Sequence, residues 1–513
     1  MRLFAPCVTD GYKLSHREMY ANGTTQVYSN LTPRSDKIYR RNATEFYDGK
    51  LLWVGAQGAV KEIIEMWDSF FIMSKSYVVD KFAKRMQGYL GGYDAAVEAV
   101  SSLWDLGYLP LEFKSLPEGT KVNFNIPVMT VTNTHPDFFW LVNYIETVLS
   151  DLTWKIATNA TIAAEYKAIC QHYAKITGTD DFTVSIQCHD FSMRGMSGPE
   201  DAARAGFGHL TQFIGTDTLP AMDYAEDYYL VNSNDLIAIS VPATEHAVAT
   251  SNILGLERSV FEESDETTRL HAERNFMRDL ITNKFPKGIV SYVADSYDYW
   301  SVLTDILPDL KNEIMSREAS HVAPGKLVIR PDSGDPVKVI CGDEDAPVDS
   351  PEYKGSIELL WDTFGGTMTE TGYKLLDSHI GLIYGDSITT KRAEEILRRL
   401  AVKGFASGNV VFGVGSYTYQ CNTRDTFGFA VKATYTEVNG EGLAVFKDPK
   451  TDAKKKSAKG LLHVGLDESG EYVLTSDVTR ETEESDTNML KTINKNGDWI
   501  STVSLNEIRA RQN

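Results

Sequence analysis

Cysteine is scarce in this chain: Cys7, Cys170, Cys188, Cys341 and Cys421 are the only five among 513 residues. None stands in CxxC spacing, which excludes a disulfide framework and points to a reducing compartment. Net positive charge is missing too. Fifty-one Lys and Arg against 71 Asp and Glu leave −20, which argues against nucleic acid or an anionic membrane as partner. A phosphate-rich ligand would need a local cationic pocket working against that global field. No apolar span reaches the roughly 18 residues of a membrane helix. Residues 1–20 lack the apolar run of a signal peptide, so the expectation is a cytoplasmic protein. Low-complexity linkers and short internal repeats are absent as well.

What remains is the composition of a soluble globular protein, 42% apolar and 24% charged. The length predicts more than one domain. Residues 1–150 read as mixed α/β. Residues 27–31 alternate like a strand and lead to Arg34; 60–67 have helical spacing; 111–133 hold two short strand-like runs; 140–152 are apolar and helical. Residues 151–425 form the next unit. From about 180 onward, apolar runs end in small or charged residues and are mostly followed by helical stretches. Seven candidate strands emerge, at 184–186, 213–215, 236–241, 289–294, 327–329, 380–384 and 410–412. Strand–helix alternation implies a parallel sheet, and seven units favour a barrel over an open sheet. Residues 426–513 lose this rhythm, with strands expected at 429–438 and 443–446. This tail is expected to pack with the N-terminal part as a second domain.

The stretch Leu327-Val328-Ile329-Arg330-Pro331-Asp332-Ser333-Gly334 shows why function is expected at the strand ends. A buried β-branched run stops abruptly in a cation, a proline and turn residues. Ligands of α/β folds bind at that edge. Alone, the stretch reads as an Arg–Asp pair capping a loop; its recurrence along the chain favours function. Gly385-Asp386-Ser387 and Gly413-Val414-Gly415-Ser416 fall after the last strands, where barrels commonly hold phosphate. Neither is a Walker or GxGxxG motif, and ordinary strand-to-helix turns are the bland alternative. His189, Asp190, His246 and Asp295 offer metal-type donors, but no HxH or HExxH spacing supports a tight transition-metal site. Arg34, Arg424, Lys432 and Lys447 each adjoin an apolar or strand-like run, and a cluster of them would suit a diphosphate.

Taken together, the segments Asp10-Gly11-Tyr12-Lys13-Leu14-Ser15-His16, His189-Asp190-Phe191-Ser192-Met193-Arg194-Gly195, Gly215-Thr216-Asp217-Thr218, Ser240-Val241-Pro242-Ala243-Thr244-Glu245-His246, Asp295-Ser296-Tyr297-Asp298, Ile329-Arg330-Pro331-Asp332-Ser333-Gly334, Thr423-Arg424-Asp425 and Phe446-Lys447-Asp448-Pro449 resemble the nicotinamide phosphoribosyltransferase family. The likeness spans most of the chain and lies within the type II phosphoribosyltransferase class. It implies an incomplete TIM-like (α/β) barrel with a second mixed α+β domain built from the N- and C-terminal parts. It implies a homodimer with shared sites. The implied reaction joins nicotinamide to phosphoribosyl diphosphate with Mg²⁺, giving nicotinamide mononucleotide and diphosphate in NAD salvage. ATP would stimulate it through a phosphohistidine.

By the same resemblance, Phe191 and Tyr12 of the other subunit would sandwich the pyridine ring. Asp217 would accept the carboxamide N–H, with Ser291 and Arg330 near amide and ring. Asp332 would hold ribose hydroxyls. Gly385, Asp386, Gly415 and Ser416 would surround the 5′-phosphate, with Arg194 nearby. Arg34, Arg424, Lys432 and Lys447 would hold diphosphate, which would itself carry most of the Mg²⁺. His246 would be the phosphorylated residue, supported by Glu245 and Asp295. Departures are Ser387 and Ser416 where glycine is expected, Ser192-Met193 in place of a Gly–aromatic pair, and Thr244 in place of alanine. Three alternatives stay open: nicotinate phosphoribosyltransferase, a metal-dependent barrel hydrolase built on His189, Asp190 and His246, and a non-catalytic binding protein.

Overall fold

The computed structural model describes residues 3–232, 235–385, 387–446 and 458–512. Among the described residues, the strands form two principal sheets of opposite character. The antiparallel sheet runs in the order Glu441–Ala444, Ala430–Val438, Thr24–Thr32, Met129–Asn133, Leu111–Ser115, Lys491–Lys495, Asp498–Trp499. Three N-terminal strands therefore form the centre of this sheet, and C-terminal strands flank them on both sides. Thr24–Thr32 is its spine, with Leu31 opposite Val431 on one side and Met129 on the other. The C-terminal segment is in this way integral to the N-terminal one.

The second sheet is parallel and curled, in the order Gly215–Thr216, Cys188–Asp190, Val410–Val414, Ile380–Tyr384, Lys326–Arg330, Ile289–Val293. Its edges approach each other through residues 239–243. Ile239 bridges Gly215 and Ala243 bridges Ser291, both in parallel sense. Val290, Tyr292, Leu327, Ile329, Leu382 and Phe412 are buried within it, as expected of strands covered on both faces.

Two strand assignments need correcting. Residues 184–186 belong to the helix Asp181–Ile186, and the strand starts at Cys188. The β-branched run misled because Asp180, just before it, accepts a hydrogen bond from Thr183 N and starts a helix. The run expected at 236–241 forms no regular strand, only the bridge of Ile239 to Gly215.

The helix Glu146–Thr177 joins the two halves. Its first turns put Val148, Leu149 and Leu152 into the core beneath the antiparallel sheet. Its last turns put Tyr166, Ile169 and Cys170 into the core beneath the parallel one. A helix buried on nearly every side, at polar as well as apolar positions, has no stripe to read, but it belongs in such a seam. The C-terminal helix Leu505–Ala510 docks nearby, where Arg509 donates to the carbonyls of Leu210, Leu236 and Ile237. That clamp holds the segment leading to Ser240.

Candidate functional site

Parallel strands bring their C-terminal ends to one rim, so residues remote in sequence meet there. Asp190-Phe191, Thr216-Asp217, Arg330 and Gly385 all stand at or just beyond such ends. At one end of the rim is Asp217. His189 Nε2 lies 2.9 Å from its Oδ1, and Ser240 Oγ donates to the same oxygen at 2.6 Å. Among the described residues no hydrogen bond is made to Oδ2. Burial pushes the Asp217 carboxyl up. The hydrogen bonds from His189 and Ser240, with the charges of His189 and Arg330, outweigh it and hold the group below the usual carboxylate range. Asp217 is thus a fixed anion, and its side chain is 46% exposed. The Phe191 ring lies 4.7 Å from that of His189. Ser291 is buried on the other edge strand, Ile289–Val293, where it bridges Ala243. Among the described residues, the buried Arg330 Nε–H has no hydrogen-bond partner.

A second cluster sits at His246, the first residue of the helix His246–Val260. His246 Nε2 is 3.0 Å from Asp295 Oδ1, and Asp295 Oδ2 accepts from the backbone N–H of Asp332 at 3.1 Å. Asp295 is 5% exposed and His246 46%, so the imidazole is the reachable member of the pair. Glu245, expected to support His246, precedes the helix and makes no side-chain capping bond. The Thr244 departure has a structural use: its Oγ1 accepts from Val293 N at 2.8 Å.

Behind this cluster, Tyr292 OH donates to the buried Glu273 at 2.8 Å. Burial pushes the Glu273 carboxyl to about 7, against the Tyr292 hydrogen bond and with Asp298 and Asp295 adding to the rise. Below the unfolded value of about 4.5 the group is protonated in both states. Between there and about 7 the folded state alone holds the proton, so stability is lost as pH rises through that window. Glu273→Gln should therefore gain on the wild type by about 2–3 kcal/mol from pH 4.5 to 8. Urea melts at the two pH values measure this, and a constant difference would contradict it.

The middle of the rim, over the central strands, is tightly built. A Cβ on Gly385 would lie 2.6 Å from Asp332 Oδ1. One on Gly413 would lie 2.6 Å from the Phe191 ring and 2.8 Å from Gly385 Cα. One on Gly195 would overlap Ser416 Oγ. So Phe191, Asp332, Gly385 and the Arg194 and Ser416 loops converge only because three glycines lack side chains. Ser387 adopts φ +56°, a conformation that favours glycine, and Arg392 Nη1 donates to its carbonyl at 2.7 Å. Gly415 opens the short helix Ser416–Gln420.

Arg34 and Arg424 are joined by one turn. Arg34 donates from its backbone to Phe427 O and from Nε to Gly428 O, and Phe429 N donates to Arg424 O. Lys432 lies across from Asn30 in the adjoining strand pair. Tyr12 is 64% exposed, with its ring on His16. Among the described residues no ring contact joins it to Phe191 within one chain. Asp386 and Lys447 lie outside the described residues.

The metal-hydrolase reading required His189, Asp190 and His246 together. Instead His189 pairs with Asp217 and His246 with Asp295. Among the described residues no three His, Cys, Asp or Glu gather as a cation site. Sequence reasoning missed Ser240 and the His189–Asp217 pair. Both lay inside quoted motifs, but only strand order revealed their contact.

Residues 186–495 match the model of the nicotinate phosphoribosyltransferase (NAPRTase) family. A nicotinamide phosphoribosyltransferase of Acinetobacter baylyi is 49% identical over 505 residues, 98% of this chain and 95% of that protein. One of Mycoplasma pneumoniae is 34% identical over 467 residues, 88% of this chain and 93% of its own length. In fold, the chain is similar to human nicotinic acid phosphoribosyltransferase, with a TM-score of 0.51 over 98% of this chain and 92% of that one at 15% identity. The chain belongs to the nicotinate phosphoribosyltransferase family.

Proposed function

We propose that this protein condenses nicotinamide with phosphoribosyl diphosphate, giving nicotinamide mononucleotide and diphosphate. The observation that carries the reading is Asp217, an anion held ionised at the rim. A carboxylate there accepts the N–H of a carboxamide and repels the carboxylate of nicotinate. The names of the relatives support the same substrate.

In this reading the pyridine nitrogen attacks ribose C1 as diphosphate leaves with the bonding pair. The nitrogen lone pair is already nucleophilic at neutral pH, so no general base is needed. The task of the protein is positioning and charge stabilisation. Phe191 supplies one aromatic face for the ring. Tyr12 of a second copy supplies the other, which its exposure in the single chain supports. Ser291 and Arg330 flank the amide and ring, and Asp332 binds ribose hydroxyls. Gly385, Asp386, Gly415, Ser416 and Arg194 receive the 5′-phosphate. Arg34, Arg424, Lys432 and Lys447 receive diphosphate. Mg²⁺ brought in with diphosphate would supply charge neutralisation of the leaving group beside Arg34, Arg424, Lys432 and Lys447. The curled parallel sheet, covering 151–425, acts as an incomplete TIM-like barrel; 1–150 and 426–513 complete the site as a second domain. Free thiols suit a cytoplasmic location; no described helix is long and apolar enough to cross a membrane.

The test is mass spectrometry of the reaction mixture. Nicotinamide mononucleotide and diphosphate should appear in equal amounts, and only when phosphoribosyl diphosphate is present. Turnover without it would overturn the reading.

His246 is proposed as the site phosphorylated by ATP, supported by its exposed imidazole and its buried partner Asp295. His246→Ala should abolish labelling from γ-³²P-ATP and the stimulation by ATP, while basal synthesis persists. Label on the variant would refute the assignment.

A further inference from the structure

We infer that Lys155 and Tyr166, inside the helix Glu146–Thr177, are positioning residues that set the spacing of the phosphate-binding loops. The inference rests on the proposed function, because it is that reading which gives the loops their ligand. The two residues are eleven apart, within about 20° of three full helical turns, so they share one stripe. Both side chains are buried, and both reach the short helix Ser416–Gln420, Lys155 at its C-terminal end and Tyr166 at its middle.

Lys155 Nζ donates to Gln420 Oε1 at 2.6 Å and to Tyr419 O at 3.4 Å, with Asp201 Oδ1 at 3.7 Å. Gln420 Nε2 in turn donates to Ser197 Oγ at 2.6 Å, and Ser197 N to Asp201 Oδ2 at 2.9 Å. Lys155 thereby ties the end of the Ser416 helix to the loop that follows Arg194. Tyr166 OH donates to Ile388 O at 2.7 Å and lies 3.3 Å from Thr418 Oγ1, which is itself 3.3 Å from Ile388 O. Tyr166 thereby ties the same helix to the loop that begins at Gly385.

Between these posts Tyr419 is held from the other side. Its OH is 2.7 Å from His209 Nδ1, and His209 Nε2 is 2.9 Å from Gly215 O. A carbonyl only accepts, so Nε2 carries the proton and Nδ1 accepts from the phenol. Burial favours this neutral ring by pushing the imidazole down to about 4.

The placement is informative because it is unfavourable in isolation. Burying an ammonium is costly unless oxygens surround it, and an apolar residue would fill the seam of two cores more simply. Here the oxygens come from two separate helices, Ser416–Gln420 and Pro199–Leu210, which follow the two loops. The helix is anchored in both cores, so its side chains make a fixed ruler beneath the loops and brace the direct bonds between them, Gln420 to Ser197 and Thr418 to Ile388.

Steady-state kinetics with each substrate varied tests this. Lys155→Met and Tyr166→Phe should each raise KM for phosphoribosyl diphosphate about tenfold, the scale of one lost buried hydrogen bond. KM for nicotinamide should stay within about twofold. A merely structural role would move both constants together or neither, and either result in a cooperatively melting variant overturns the inference. If Lys155→Met does not fold, Gln420→Leu removes the same bond from the other side and decides. If the wild type makes no nucleotide, the functional reading has failed. Calorimetry with ribose 5-phosphate then reads the loops directly: a tenfold weaker Kd in Tyr166→Phe upholds the positioning role, and an unchanged Kd overturns it.

Discussion

Asp217→Ser should shift the ratio of kcat/KM for nicotinamide over nicotinate by about 10³-fold toward nicotinate. Two contributions add. A hydrogen bond from the carboxamide to a charged acceptor is lost, worth about 1.5–3 kcal/mol. A repulsion between two carboxylates is also lost, about 4 kcal/mol at 4 Å in a medium of effective dielectric 20. Asp217 is close to half exposed, so screening reduces the second figure to about half, and about 4 kcal/mol in total corresponds to about 10³. The serine leaves His189 in place, and with its partner gone the imidazole is available to an incoming carboxylate. Measuring both substrates under identical phosphoribosyl diphosphate saturation checks this. An unchanged ratio would mean that Asp217 does not face the substituent.

Mixed dimers should recover activity that neither parent variant has. Tyr12→Ala removes an aromatic face, worth about 1 kcal/mol beyond its contact area. Asp332→Ala removes charged-acceptor bonds of about 1.5–3 kcal/mol each. Each pure dimer should be nearly inactive. In a heterodimer with sites shared across a two-fold axis, one site collects both defects and the other collects none. Random exchange makes about half the dimers mixed, so about a quarter of wild-type activity should return. Native mass spectrometry confirms the heterodimers. Activity equal to the mean of the parents would place Tyr12 within its own subunit or outside the site.

The sequence was most legible where local chemistry and tertiary structure agree. Residues 289–293, 326–330 and 380–384 are strands in the structure because a β-branched run is bounded by polar turn residues on both sides. Legibility failed where long-range pairing decides. The strand Gly215–Thr216 has only two residues and exists because Cys188–Asp190 lies beside it. The run 184–186 looked like a strand because periodicity cannot weigh a cap such as Asp180. The helix expected at 140–152 extends to Thr177, since a helix buried all round shows no stripe.

Site residues followed the same division. Asp217, Arg330 and Asp332 stood at strand ends and were visible as abrupt polar stops, and His246 as a polar stop at the start of a helix. Ser240 and His189 were visible too, but their common partner was not, because contact across strand ends depends on sheet order. Lys155 and Tyr166 gave no signal at all, since a lysine and a tyrosine within a long apolar helix read as ordinary core and surface.

The central claim is that a fixed carboxylate at the rim selects a carboxamide. One competition measures it: equimolar nicotinamide and nicotinate with limiting phosphoribosyl diphosphate and the wild-type protein, the two mononucleotides resolved by mass spectrometry. The account predicts that nicotinamide mononucleotide exceeds nicotinate mononucleotide by at least about 10²-fold. Comparable amounts of both, or an excess of the nicotinate product, would contradict it.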